Sequence, residues 1–124
     1  MNKIILVLLA SALSLFALEF HSYEEALKMQ KKSGKVIMLD VVRSDCHYCH
    51  KMDAEVFNNA QMAKWIEQRF IPVKLDLDFD EIPLGIKVHF TPTFFFVNKE
   101  QKIIKTVPGS WSIQDFKDLT KNIK

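Results

Sequence analysis

Cysteine is nearly absent from this chain of 124 residues: there are 2, too few for a network of bridges to hold a fold together. Glycine and proline are scarce too, at 3 and 4, which excludes collagenous and low-complexity architectures. No charge of one sign dominates. The 17 Lys and Arg against 15 Asp and Glu leave a net +2, scattered rather than massed, so no nucleic-acid-binding face is expected. The length gives room for one ordinary domain, which excludes most multidomain enzymes. What is present is a composition of 48% apolar and 26% charged residues, suited to a packed interior.

The opening MNKIILVLLASALSLFA carries one charge, Lys3, ahead of an apolar run that ends in small residues. That is the pattern of a secretory leader, with cleavage expected after Ala17 and with Ala12 as the alternative. The run is about 15 apolar residues, short of the roughly 20 a membrane-spanning helix needs, which weighs against an uncleaved anchor. The expected organisation is a leader over residues 1–17 and one domain over 18–124. In an oxidising compartment a disulfide can form and be used, so the spacing of the only two cysteines matters.

Ser22 followed by Glu25 forms a capping box, and Tyr23, Ala26 and Leu27, with Gly34 beyond, describe a short amphipathic helix. VIMLDVV, residues 36–42, is apolar at every position but one and rich in β-branched side chains, as a central strand covered on both faces should be. Apolar residues at Met52, Val56 and Phe57, then at Met62, Trp65, Ile66 and Phe70 after a break at Asn58 and Asn59, predict two helical stretches. Residues 71–77 alternate after Pro72, with Val73, Leu75 and Leu77 on one face. TFFFV at 93–97 and residues 102–107 predict a hairpin, and Ser112 caps a last helix with Ile113, Phe116, Leu119 and Ile123 inward. His21 and His89 are expected at the surface, and the lysines near 28–35 and 117–124 on solvated helix faces. The order predicts an α/β fold: a mixed sheet of about four strands with helices on both faces.

RSDCHYCH places Cys46 and Cys49 between the central strand and the first turn of the next helix. Unpaired backbone N–H groups and the positive end of the helix dipole stabilise a thiolate there, which makes Cys46 the expected nucleophile and the more covered Cys49 the resolving thiol. The two-residue gap lets the sulfurs bond reversibly. His47 and His50 favour the thiolate and Asp45 opposes it. A static bridge is the bland alternative, but so small a loop constrains the unfolded chain little. The same residues read as C-x-x-C-H, the haem c attachment pattern, with His50 and Met52 or Met62 as axial ligands; the strand ahead of Cys46 and the TFFFV hairpin argue against it. A copper or zinc carrier using Cys46, Cys49, His47 and His50 is a third reading, disfavoured because so few residues on one turn do not converge.

The stretches VIMLDVVRSDCHYCHKM, VKLDLD, IKVHFTPTFFFV and VPGS resemble the thioredoxin superfamily, and within it exported thioredoxin-like proteins and the C-terminal domain of the membrane thiol reductase. The resemblance covers about residues 22–123 and implies a thioredoxin-like fold. It implies a cis Pro92 against the disulfide, with Thr91, Pro92, His47 and Tyr48 at the substrate surface, and a buried acid at Asp40, six residues before Cys46, that moves the Cys49 proton. Lys74 falls on the strand lysine opposite that acid. There are departures: Asp45 stands where tryptophan is usual, His47-Tyr48 where Gly-Pro is usual, and no proline kinks the helix near Ala54. The implied activity is periplasmic protein-disulfide reduction by a monomer that needs no cofactor or metal and draws electrons from a membrane thiol reductase. Isomerase or oxidase activity is the alternative.

Overall fold

The computed structural model describes residues 17–124, so the expected leader, apart from Ala17, lies outside the described residues. Helix α1, Tyr23–Ser33, starts where the Ser22 hydroxyl accepts the Glu25 N–H at 3.1 Å and stops at Gly34, whose φ of 73° only glycine adopts cheaply. Strand β1, Val36–Val42, is buried at every position. It leads to α2, His47–Met52, which runs into a π turn at Asp53–Phe57 and then, after the Asn59 cap, into α3, Ala60–Arg69. The π turn is closed by Asn58 N–H on Asp53 O at 2.9 Å. It therefore interrupts the helix at the place where the family's proline kink is missing.

Strand β2, Phe70–Asp76, returns parallel to β1; β3, Thr93–Val97, runs antiparallel on its other side, and β4, Ile103–Pro108, completes the order β2-β1-β3-β4. Helix α4, Ile113–Thr120, begins at a Ser112 cap. The sheet is covered on both faces. On one side Met38, Phe94 and Phe96 meet Met52, Val56, Phe57, Ile66 and Phe116 from α2 through α4; on the other Ile37, Leu39, Val41 and Phe95 meet Ala26 of α1, with Ile82, Ile86 and Val88 from the long loop packed alongside. Phe57 sits edge-on to Phe20, Phe94 and Phe116, with ring centroids 5.6, 5.9 and 6.1 Å away.

Two expectations change. Phe70, expected on the second helical stretch, opens β2, along which burial alternates after Pro72 as the pattern predicts. His21 is half-buried rather than a surface residue, because its backbone N–H donates to Pro72 O at 2.9 Å and lays the preceding segment along the β2 edge, with Leu18 and Phe20 entering the core. His89 is exposed as expected.

Candidate active site

The chain leaves β1 at Val42, makes a short loop and enters α2 at Cys46, whose extended backbone makes it the N-cap. Its Sγ accepts the Cys49 N–H at 3.1 Å, the hydrogen bond a serine hydroxyl would accept at the same position. Cys46 and Cys49 are joined in a disulfide, their Cα atoms 5.3 Å apart. Val42 packs against both. Cys46 is 8% exposed and Cys49 3%, so the sulfur expected to attack is the more open one.

Thr91, 45 residues away in sequence, donates its hydroxyl to Cys46 Sγ at 3.2 Å. The Thr91–Pro92 bond is cis and Pro92 is buried. His47 and Tyr48 are exposed on the first turn of α2 with their rings edge-on, 5.4 Å between centroids. The structure thus brings Cys46, Cys49, Thr91, Pro92 and Tyr48 to one end of the sheet.

The loop before Cys46 is held from the side. Arg43 pairs with Asp78 at 3.1 Å, the Ser44 hydroxyl donates to Asp76, and the Ser44 carbonyl accepts from His50 Nε2 at 3.0 Å. The Ser44 hydroxyl, then the Asp78 N–H, hold the Asp76 carboxyl below the usual carboxylate range. Ser44 and Asp76 are polar residues next to a turn, and nothing in their sequence pattern singles them out.

Asp40 lies in β1 on the same face as Val42, 1% exposed. Its Oδ1 has no hydrogen-bond partner among the described residues. Burial pushes its carboxyl up to about 7, against the pull of Lys74 and with help from the Asp53 charge. Lys74 is opposite Asp40 in the β1–β2 register, but its ammonium is held by Asp53 Oδ1 at 2.6 Å and lies 4.4 Å above the Phe20 ring. Asp53 is a member of this group that sequence reasoning missed: it closes α2, its N–H on Cys49 O and His50 O, and its partner Lys74 lies 21 residues away on β2.

The haem and metal readings find no support in this geometry. Met52 and Met62 are both buried in the core, Met52 Sδ accepts the Trp111 N–H at 3.2 Å, and His50 Nε2 is turned to Ser44 O. Among the described residues no group of three or more His, Cys, Asp or Glu side chains is placed to hold a metal ion.

A family model described as a thioredoxin-like domain matches residues 23–124. Human spermatogenesis-associated protein 20 is 37% identical over 68 residues, which are 55% of this chain and 8% of that protein, so the chain spans a small part of that relative's length. Among solved structures, a thioredoxin from Thermus thermophilus is 27% identical, with 85% of this chain and 86% of that one covered and a TM-score of 0.69. DsbH oxidoreductase, at 22% identity, with 86% of each chain covered and a TM-score of 0.68, shares the fold. This chain belongs to the thioredoxin-like family, and carries at the start of its second helix the paired cysteines of a thiol–disulfide oxidoreductase.

Proposed function

We propose that this chain is an exported, monomeric protein-disulfide reductase acting in the periplasm through residues 18–124. The Cys46 thiolate attacks one sulfur of a client disulfide, a Cys46–client bond forms, and the other client sulfur leaves as a thiolate. Cys49 gives its proton to Asp40 and its sulfur attacks Cys46 Sγ, which releases the second client thiolate and leaves the Cys46–Cys49 disulfide. The client has gained two electrons and the protein has lost them, and a membrane thiol reductase returns them as a dithiol. Thr91, Pro92, His47 and Tyr48 receive the client chain. The chemistry needs no cofactor.

The observation that carries this reading is Cys46 Sγ at the cap of α2, accepting hydrogen bonds from Cys49 N–H and the Thr91 hydroxyl. Both donors serve a thiolate better than a thiol. For the direction of flow, the support is what surrounds these donors. Asp45 precedes the nucleophile, His50 is engaged by Ser44 O and His47 sits edge-on to Tyr48, so neither imidazole is committed to the sulfur. A thiolate with modest help leaves the disulfide the stable form and the dithiol a good donor.

Cys49→Ala tests the scheme. Without the resolving thiol, the Cys46–client bond persists, and reduced Cys49→Ala protein mixed with oxidised insulin is expected to accumulate a covalent adduct that dithiothreitol releases, seen as a mass increase on a non-reducing gel. If no adduct forms although Cys46 is free, attack by Cys46 is excluded.

A further inference from the structure

We propose that Asp53 is a positioning residue for the resolving step: it draws the Lys74 ammonium onto its own carboxylate and so leaves Asp40 without an ion pair, free to take the Cys49 proton. The inference rests on the reading that Asp40 accepts that proton, and it names the group that keeps Asp40 fit for the task. Asp40 and Lys74 are direct partners in the parallel β1–β2 register, so the lysine starts beside the buried acid. In a site with little water, opposite charges so placed attract strongly.

The ammonium nevertheless goes elsewhere. Asp53 Oδ1 takes it at 2.6 Å, and its Nζ lies 4.4 Å from the centre of the Phe20 ring. Phe20 is itself fixed edge-on against Phe57, with 5.6 Å between centroids. Asp40 Oδ1 is left with no hydrogen-bond partner at a position 1% exposed.

Asp53 is placed by the turn that carries the resolving thiol. It closes α2, its backbone N–H donating to Cys49 O and His50 O. The carboxylate that holds Lys74 is thus tied by a hydrogen bond to the residue whose proton Asp40 receives. From β3 the register partner of Asp40 is Phe94, and α4 contributes Phe116 to the same core, neither of them charged. Lys74 and Asp53 are the charges that act on Asp40, the lysine more strongly.

An acid paired with a lysine stays ionised well below neutral pH and has little affinity for the proton of a thiol. An acid left unpaired in a dry site takes and releases a proton near neutrality. Removing Asp53 gives the ammonium one remaining carboxylate to turn to, that of Asp40.

The test follows Asp40 directly, by carbon-13 NMR titration of its carboxyl in the oxidised protein, where the cysteines are joined and do not titrate. The signal is assigned by its loss in Asp40→Asn. The parent midpoint is expected at about 7. In Asp53→Asn it should fall by about one to two pH units, while Asp53→Glu, which keeps a carboxylate for Lys74, should stay within about half a unit of the parent. Because Asp53 also carries a charge of its own, the comparison is repeated in a Lys74→Met background. There the acid shift caused by Asp53→Asn should shrink to about half or less, since no ammonium is left to move. In single turnovers at pH 8, decay of the Cys46–client intermediate should slow about threefold to tenfold in Asp53→Asn. A midpoint that is unchanged or higher in Asp53→Asn, or an equal shift with and without Lys74, would overturn the proposal. A lowered midpoint with an unchanged decay rate would instead overturn the reading beneath it, that Asp40 takes the Cys49 proton.

Discussion

Cys46→Ser is expected to bring dithiothreitol-driven insulin reduction down to the rate seen without protein, a loss of about a thousandfold or more in the protein's own contribution. The substitution separates chemistry from folding unusually well. Cys46 is the N-cap of α2 and its sulfur accepts the Cys49 N–H, a bond that serine makes at least as well as cysteine. The helix start, and the Thr91 contact to the same position, should therefore survive. Cys49 cannot take over attack on a bulky client, because it is 3% exposed beneath Cys46 and Val42. The far-ultraviolet circular dichroism of Cys46→Ser should match that of the parent, and a variant that is folded yet keeps a tenth of the parent activity or more would exclude Cys46 as nucleophile.

Asp40→Asn carries the second large effect, with a stability part and a kinetic part. Burial lifts the Asp40 carboxyl from 3.8 to about 7. In the unfolded chain it ionises near its ordinary value, so between these two values the native state holds a proton the unfolded state has released. Stability falls as pH rises through that window and levels off above it. A displacement of this size corresponds to roughly 4 kcal/mol lost by pH 8. Asparagine has no such ionisation, so Asp40→Asn should match the parent near pH 4 and exceed it at pH 8 by up to about 4 kcal/mol, read by urea unfolding at both pH values. A variant less stable than the parent at pH 8 would contradict the buried, raised acid.

The kinetic part of Asp40→Asn has the opposite sign. Asparagine cannot accept the Cys49 proton, so decay of the Cys46–client intermediate should slow by about a hundredfold, the lower part of the range for a positioned proton acceptor. Quenched single-turnover reactions that count the mixed disulfide measure this step directly. An unchanged decay rate would remove Asp40 from the chemistry and leave it a purely structural acid.

Much of this was legible because local signals and the global fold agree. The apolar run of β1, broken only at Asp40, the Ser22 and Ser112 caps, and the cysteines at a strand-to-helix junction each stand in the fold where their pattern placed them. Other features depend on contacts no window of sequence contains. Asp53 reads as a surface carboxylate on a helix, and becomes the partner of Lys74 because β2 passes beside the end of α2. Gln30 looks like a solvated residue of α1, yet it is 2% exposed and its amide donates to Val97 O at 3.1 Å, joining the helix to the far end of β3. Phe90 lies in a loop without periodicity, so its place beside Tyr48 follows only from the backbone around Pro92.

Whether the Cys46–Cys49 pair gives electrons or takes them decides the direction of the reaction. Equilibration of the purified protein with thiol–disulfide buffers, followed by mass tagging of free thiols, yields the reduction potential of the pair. The reductase reading predicts a value of about −270 mV, in the range of reducing thioredoxins. A value of about −120 mV would mean a strongly stabilised Cys46 thiolate and a protein that makes disulfides, and would contradict the proposed direction.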